Sequence, residues 1–425
     1  MDRQPGNTEF DAIVVGSGPT GATIARELSK RKKRVLVLER GGNGPLKESF
    51  LTMASILNTV SVSDGLSTSM AYTTGGTTAV YFAVAHFPPL QTFLSLGIDI
   101  SRELEEAKKE LPLTNFPDEH LGPAAKRVQE SAIDLGHAWE QAPMLVDLSK
   151  CPSGYAYEAK WNARSYLRDA VAEGATLVER ARVLKVLVEK KRAIGVEYEV
   201  KKSKRQSEIR LAFGTKIILA AGAAASPAIL RDSGINSVTN SGFYCHPSYV
   251  LFGTTAGLNA GDNFMGSMGT VVDGNVAVGD ANVPRGLFRM LMLGNRRFVR
   301  AFLHSKSIGV GVMLREGLGG GLQEDGRYYK QLTKEDLNKL KKGEQAARKI
   351  IERAGGKNII KTAASSAQIG GTIRINEHLD KNLQTEYSNL HVCDGSVIPH
   401  NVNISPTLTL VCLGKYLANH LSATL

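Results

Sequence analysis

The sequence predicts an α/β chain, with a parallel sheet and β-meander in one part and an antiparallel sheet in a second, α+β part. Three observations carry this. Asp11-Ala12-Ile13-Val14-Val15, a short β-branched apolar run, feeds the glycine-rich turn Gly16-Ser17-Gly18-Pro19-Thr20-Gly21. A helix follows with Gly21, Ile24, Ala25 and Leu28 at helical spacing. A second buried run, Lys216-Ile217-Ile218-Leu219-Ala220-Ala221-Gly222, ends in another glycine turn. From His246 to about Arg374 the pattern changes to longer antiparallel strands.

In the first unit each glycine has a physical task. Gly16 permits the tight turn, Gly18 lets a pyrophosphate approach the backbone, and Gly21 lets the helix pack closely on the strand. The N–H groups and positive dipole end of that helix then face the phosphates. The next strand, Arg34 to Leu38, ends in Glu39, about twenty residues past the glycines, where a carboxylate can hold a ribose diol. Strand, turn, helix, strand and acid in this order read as a dinucleotide site.

Further along, Thr73-Thr74-Gly75-Gly76-Thr77-Thr78 suits a loop and helix start against a second part of the same cofactor. Between Gly42 and this block come a polar connection and then a region with Ser and Thr throughout. Residues 90–140 read mainly helical, and another helix runs from Lys160 to Glu173. Val183 to Val188, Ala193 to Glu199 and Ser207 to Phe213 form an expected three-stranded meander, with Lys216 to Leu219 as a separate strand returning to the first sheet. A helix over Lys334 to Gly355 carries Leu337, Leu340, Ala346, Ile350 and Ile351 on one apolar face, and a last helix runs from Thr407 to Leu421.

Composition narrows the classes. The charge of +11 is spread along the chain, and no motif supports nucleic-acid binding. Cys151, Cys245, Cys393 and Cys412 lack metal-ligand spacing, so neither a metal site nor a disulfide framework is indicated, and a reducing, cytoplasmic setting is expected. The polar start of the chain does not read as a signal peptide, and no stretch is long and apolar enough to span a bilayer. The stretch from Pro284 to Leu303 mixes Arg with Phe, Leu and Met. It reads either as a helix covering the substrate cavity or as a face, Arg285 to Leu303, that meets a protein partner or the cytoplasmic side of a membrane.

Four blocks together resemble the glucose–methanol–choline (GMC) family of FAD-dependent oxidoreductases. They are Gly16 to Gly21 with Glu39, Gly75 to Thr78, Gly222 to Ile235, and Asn389 to Pro399 followed by Ser405-Pro406-Thr407-Leu408-Thr409. The resemblance implies FAD held through Gly16, Gly18, Gly21, Glu39, Gly76, Thr77, Val183, Gly222, Asp394 and Thr407. Pro19, Thr20, Arg40, Ala221, Gly395 and Pro406 stand beside them. Covalent attachment in the family uses a histidine in the second block; residues Thr74 to Thr78 contain none, so non-covalent FAD is expected. The implied division is an FAD-binding domain of residues 1–90, 150–245 and 375–425, and a substrate domain of residues 91–149 and 246–374.

The departures from the family bear on chemistry. Its catalytic histidine falls here on Gln368, within Ser366-Ala367-Gln368-Ile369-Gly370-Gly371-Thr372, and the usual Asn or His partner falls on Ser405. Tyr81 stands where Asn is frequent. Substitute groups follow Pro399: His400, Asn401 and Asn403. His246-Pro247 reads as structural. Three functions stay open. The first is hydride transfer from a CH–OH or activated CH donor to flavin, with a quinone or redox protein rather than oxygen as acceptor. The others are altered chemistry on FAD (double-bond reduction, isomerisation or hydration) and a non-catalytic FAD-bound subunit that docks a partner or membrane.

Overall fold

Strands that are apolar at every position need cover on both faces. The computed structural model describes residues 9–425 except 64, 153, 204–205, 239–241, 266, 401, 403 and 404. All of Val35–Leu38 and the Ala12 to Val15 part of Phe10–Val15 are buried. Phe10–Val15 lies between Val35–Leu38 and Ser207–Leu219, parallel to both, with Thr176–Val178 and Leu390–Val392 also parallel in the same sheet. The helix Pro19–Lys30 packs between Arg164–Ala172 and Thr407–Ser422.

The meander is present but joined differently from expectation. Its third strand and the returning strand are one strand of 13 residues, Ser207–Leu219. Residues 207–213 pair antiparallel with Arg192–Lys201, and residues 214–219 pair parallel with Phe10–Val15. No reversal interrupts the run. Gly214 instead serves a close crossing, since a Cβ there would lie 2.9 Å from Ile13 Cγ1.

Among the described residues the second sheet has nine strands. Ser365–Ser366, Pro247–Thr254, Ser307–Leu314, Val276–Asp280 and Met268–Asp273 follow one another, and Lys357–Lys361 also pairs with Pro247–Thr254. The Ser- and Thr-rich region ahead of Tyr72, to which the sequence assigned no element, is part of this sheet. It folds as the hairpin Leu57–Ser63 and Leu66–Ala71, which joins through Ser365–Ser366. Hydroxyl-bearing β-branched residues such as Thr59 and Thr68 fit a half-buried pleat as well as a loop, so composition alone assigns the segment to neither.

One long helix, Lys334–Arg353, covers a face of this sheet. Thr333 and Asp336 cap it reciprocally, and Leu340, Ala347, Ile350 and Ile351 are its buried apolar positions. Leu337, expected on that face, is 54% exposed in the first turn, ahead of the buried run. Gly343 sets the approach distance: a Cβ there would stand 2.6 Å from side-chain carbons of Val276 and Val312. Gly343→Val is therefore expected to overpack the helix against the sheet and lower stability by about 1–3 kcal/mol, measured by denaturant unfolding.

Candidate active site

The three glycines of the first turn do different work in the fold. A Cβ at Gly16 would lie 2.4 Å from Ala220 O, and one at Gly21 would lie 2.1 Å from Gly16 O, so both positions are closed by backbone. Gly18 meets nothing within 4 Å, and its backbone lines a cavity. The helix that starts at Pro19 has no side-chain cap, which leaves its first N–H groups for an anion. Gly76 of the second block comes down on this turn, a Cβ there lying 3.0 Å from Gly18 Cα.

Ser17 ties these pieces together. Its hydroxyl accepts from Gly75 N–H at 3.1 Å and donates to Glu39 Oε2 at 2.6 Å. Glu39 is buried and also accepts from Ser17 N and Gly41 N at 3.0 and 2.7 Å. Burial pushes its pKa up despite these donors. Arg40 stacks on Tyr72, its guanidinium carbon 4.0 Å from the ring centre.

A second buried carboxylate does the same for the far blocks. Asp394 Oδ2 accepts from Gly222 N at 2.8 Å and Ser226 Oγ at 2.5 Å, and Oδ1 accepts from Ser396 N and Oγ at 2.8 and 2.6 Å. The third and fourth sequence blocks are thereby fastened to each other. Ala221, Gly222, Asp394, Gly395, Pro406 and Thr407 line the same cavity as Gly16, Glu39, Gly76 and Val183. Thr407 opens the helix Thr407–Ser422, which also lacks a side-chain cap, so a second positive helix end meets the cavity. The cavity holds about 2150 Å³ and continues past the cradle into a chamber with Phe82, Met265, Met268, Val278 and Met313 on its walls.

A family model described as GMC oxidoreductase matches residues 10–248. The chain belongs to the GMC oxidoreductase family. A GMC-type oxidoreductase of Mycobacterium tuberculosis (strain H37Rv) is 28% identical over 283 residues, 59% of this chain; the match spans only 43% of that relative's length. A long-chain-alcohol oxidase of Arabidopsis thaliana is 21% identical over 99% of this chain and 68% of its own. The crystal structure of pyridoxine 4-oxidase from Mesorbium loti aligns with a TM-score of 0.71 at 13% identity, covering 97% of this chain and 99% of that one, a likeness of fold.

FAD is the cofactor of this GMC chain, and its residues fit that group. The open face at Gly18, the uncapped helix at Pro19 and the buried Glu39 suit a pyrophosphate and an adjoining ribose. Asp394 lines the cavity, and both of its oxygens also accept from protein donors, so it fastens the third and fourth blocks together.

Beyond the cradle, the positions that depart from the family are brought together only in part. Gln368 and Ser405 line the cavity. Gln368 Nε2 donates to the hydroxyl of fully buried Tyr244 at 3.1 Å, while its Oε1 is buried with no protein partner. Tyr81 lines the cavity but donates its hydroxyl to Trp161 O at 2.6 Å. His400 is exposed and does not line the cavity; Asn401 and Asn403 lie outside the described residues. His246 is fully buried at a positive φ of 44°, with its backbone N–H 3.0 Å from Glu316 Oε2 and its ring stacked on Tyr244.

Two residues that sequence reading passed over matter here. Ser17 stood inside a motif read only for its glycines. His86 is the one histidine lining the cavity among the described residues, on a loop whose pattern carried no motif. Burial, and then Arg315, lower the His86 pKa.

The glycine geometry separates binding from folding. Gly18→Val is expected to leave the unfolding midpoint within about 0.5 kcal/mol of wild type yet abolish bound flavin absorbance. Asp394→Ala, which strands buried donors at about 1–3 kcal/mol each, is expected to lower both the midpoint and the flavin content.

Proposed function

We propose that this GMC oxidoreductase oxidises an alcohol carried on an apolar body to the corresponding carbonyl compound. The observation that carries this reading is a cavity that joins the dinucleotide cradle to a chamber with methionine, valine and phenylalanine on its walls. Bound FAD supplies the hydride acceptor. The chain's own task is then to orient the carbinol and remove the hydroxyl proton. Gln368 has no basic atom, and its unpartnered Oε1 serves as an acceptor for a ligand O–H or N–H. We place the proton acceptor at His86, which lines the cavity, rather than at His400, which is exposed. A lowered pKa keeps the His86 imidazole neutral, the form that takes a proton, at neutral pH.

The acceptor side is a quinone or redox protein in this reading. The segment Arg285 to Leu303, which exposes Phe298, Val299 and Phe302 and lines the cavity with Leu287 and Leu291, supports a route to a membrane or partner. The division into an FAD part (residues 1–90, 150–245 and 375–425) and a substrate part (residues 91–149 and 246–374) is proposed with it, the hairpin 57–71 serving the substrate sheet.

Anaerobic addition of primary alcohols of increasing chain length is expected to bleach the flavin bands, with the longer chains effective at lower concentration. A soluble quinone should then restore the bands faster than oxygen does. Flavin that no alcohol bleaches would overturn the reading and favour the altered-chemistry alternative.

The base has its own signature. Only neutral His86 accepts a proton, so wild-type turnover should fall as pH drops through a pKa below the ordinary histidine value. His86→Ala should lose that acid limb and about 10²–10⁴ in kcat, read from a pH–rate profile.

A further inference from the structure

The segment from Arg285 to Lys306 faces two ways. Its helix, Arg285–Gly294, buries Phe288 and Met292 and sends Leu287, Met290 and Leu291 to the cavity wall. The turn that follows, Phe298–Phe302, leaves Phe298 62%, Val299 79% and Phe302 79% exposed. The neighbouring helix Phe50–Ile56, which packs against Arg285–Gly294, adds Leu51, also 79% exposed. Isolated exposed apolar side chains are ordinary, but a run of them on one ledge is not.

The charge carried by this segment's own side chains has one sign, with Asp262 beside it accepting from the Arg285 backbone N–H at 2.6 Å. Residues 285–306 contain five arginines and one lysine and no Asp or Glu. Arg285, Arg289, Arg296, Arg297 and Lys306 are exposed, and no ion pair joins any of them to a carboxylate among the described residues. Elsewhere on the surface many cations are paired, as Lys32 is with Glu173 and Arg353 with Asp134. Two such faces would repel each other, which argues against a second copy as the occupant. Aromatic and aliphatic tips ringed by unpaired arginines match the boundary between headgroups and acyl chains of an anionic lipid surface. No helix among the described residues is long and apolar enough to cross a membrane, so the contact is peripheral.

We propose that residues 285–306 dock this enzyme on an anionic membrane surface. Phe298, Val299 and Phe302 enter the interface, and the arginines meet lipid phosphates. The helix shared with the cavity wall then lets apolar substrate pass from the bilayer to the chamber; that passage rests on the alcohol reading, whereas the docking does not.

The flavin-loaded full chain should co-sediment with phosphatidylcholine vesicles that contain phosphatidylglycerol, should not do so with phosphatidylcholine alone, and should be released by salt. Two variants, Phe298→Ser/Val299→Ser/Phe302→Ser and Arg296→Glu/Arg297→Glu, should each weaken binding by at least about ten-fold. Their flavin spectrum, melting temperature and turnover of a short soluble alcohol should match wild type, since none of the changed side chains is buried. Failure to bind anionic vesicles, equal binding to both vesicle types, or a salt-insensitive dimer that the triple variant abolishes would overturn the docking. Binding that persists in a chain inactive toward every alcohol would instead remove the substrate reading and leave the docking in place.

Discussion

The cofactor cradle depends on backbone approaching backbone at the ends of parallel strands. Gly16 sits where a Cβ would strike Ala220 O, Gly21 where one would strike Gly16 O, and Gly76 closes over Gly18. Side chains would hold these segments apart; their absence leaves peptide N–H groups and helix ends free to face the cavity. Two carboxylates make the arrangement durable. Glu39 fastens the first and second blocks through Ser17, and Asp394 fastens the third and fourth through Gly222, Ser226 and Ser396. Each is acceptor-only when ionised, so each gathers several donors that would otherwise be stranded in a buried place.

The substrate lobe is organised by a different force. Its antiparallel sheet is covered on one side by Lys334–Arg353, held close by the bare backbone of Gly343. Residues of Met268–Asp273, Val276–Asp280 and Ser307–Leu314, with the helix Arg285–Gly294, supply walls of the chamber. The chamber is apolar because these strands need apolar residues for the core and for the wall alike. Polar groups interrupt its apolar walls, Gln368, Ser405, His86 and Arg315 among them.

Among these, Gln368 is held by the architecture beneath it. Its amide rests on Tyr244, which stacks on His246, whose backbone N–H is held by Glu316, itself paired with Lys330. The Glu316 pKa lies low, at about 2, because its donors and Lys330 outweigh the burial that would raise it. His246 thus belongs to a buried scaffold under the site rather than to the reacting surface.

How far residues alone could lead differs from place to place. The strand, turn, helix and acid at the start, and the glycine turn at Gly222, were legible because each rests on local backbone rules that few residues satisfy. The helices Lys334–Arg353 and Thr407–Ser422 were legible from periodicity. The hairpin 57–71 was not, since Ser and Thr are ambiguous between loop and half-buried strand. Nor was the fusion of two expected strands into Ser207–Leu219, because an apolar run does not say which partner each half will take. The sequence by itself determined a dinucleotide cradle, its order of blocks and the absence of histidine at Gln368. Only the tertiary structure decided that Asp394 clasps the cradle, that His400 stands outside it and that His86 lines the chamber. The physical reason is distance: hydrogen bonds between residues more than a hundred positions apart, and the walls of a cavity, exist only once the strands have paired.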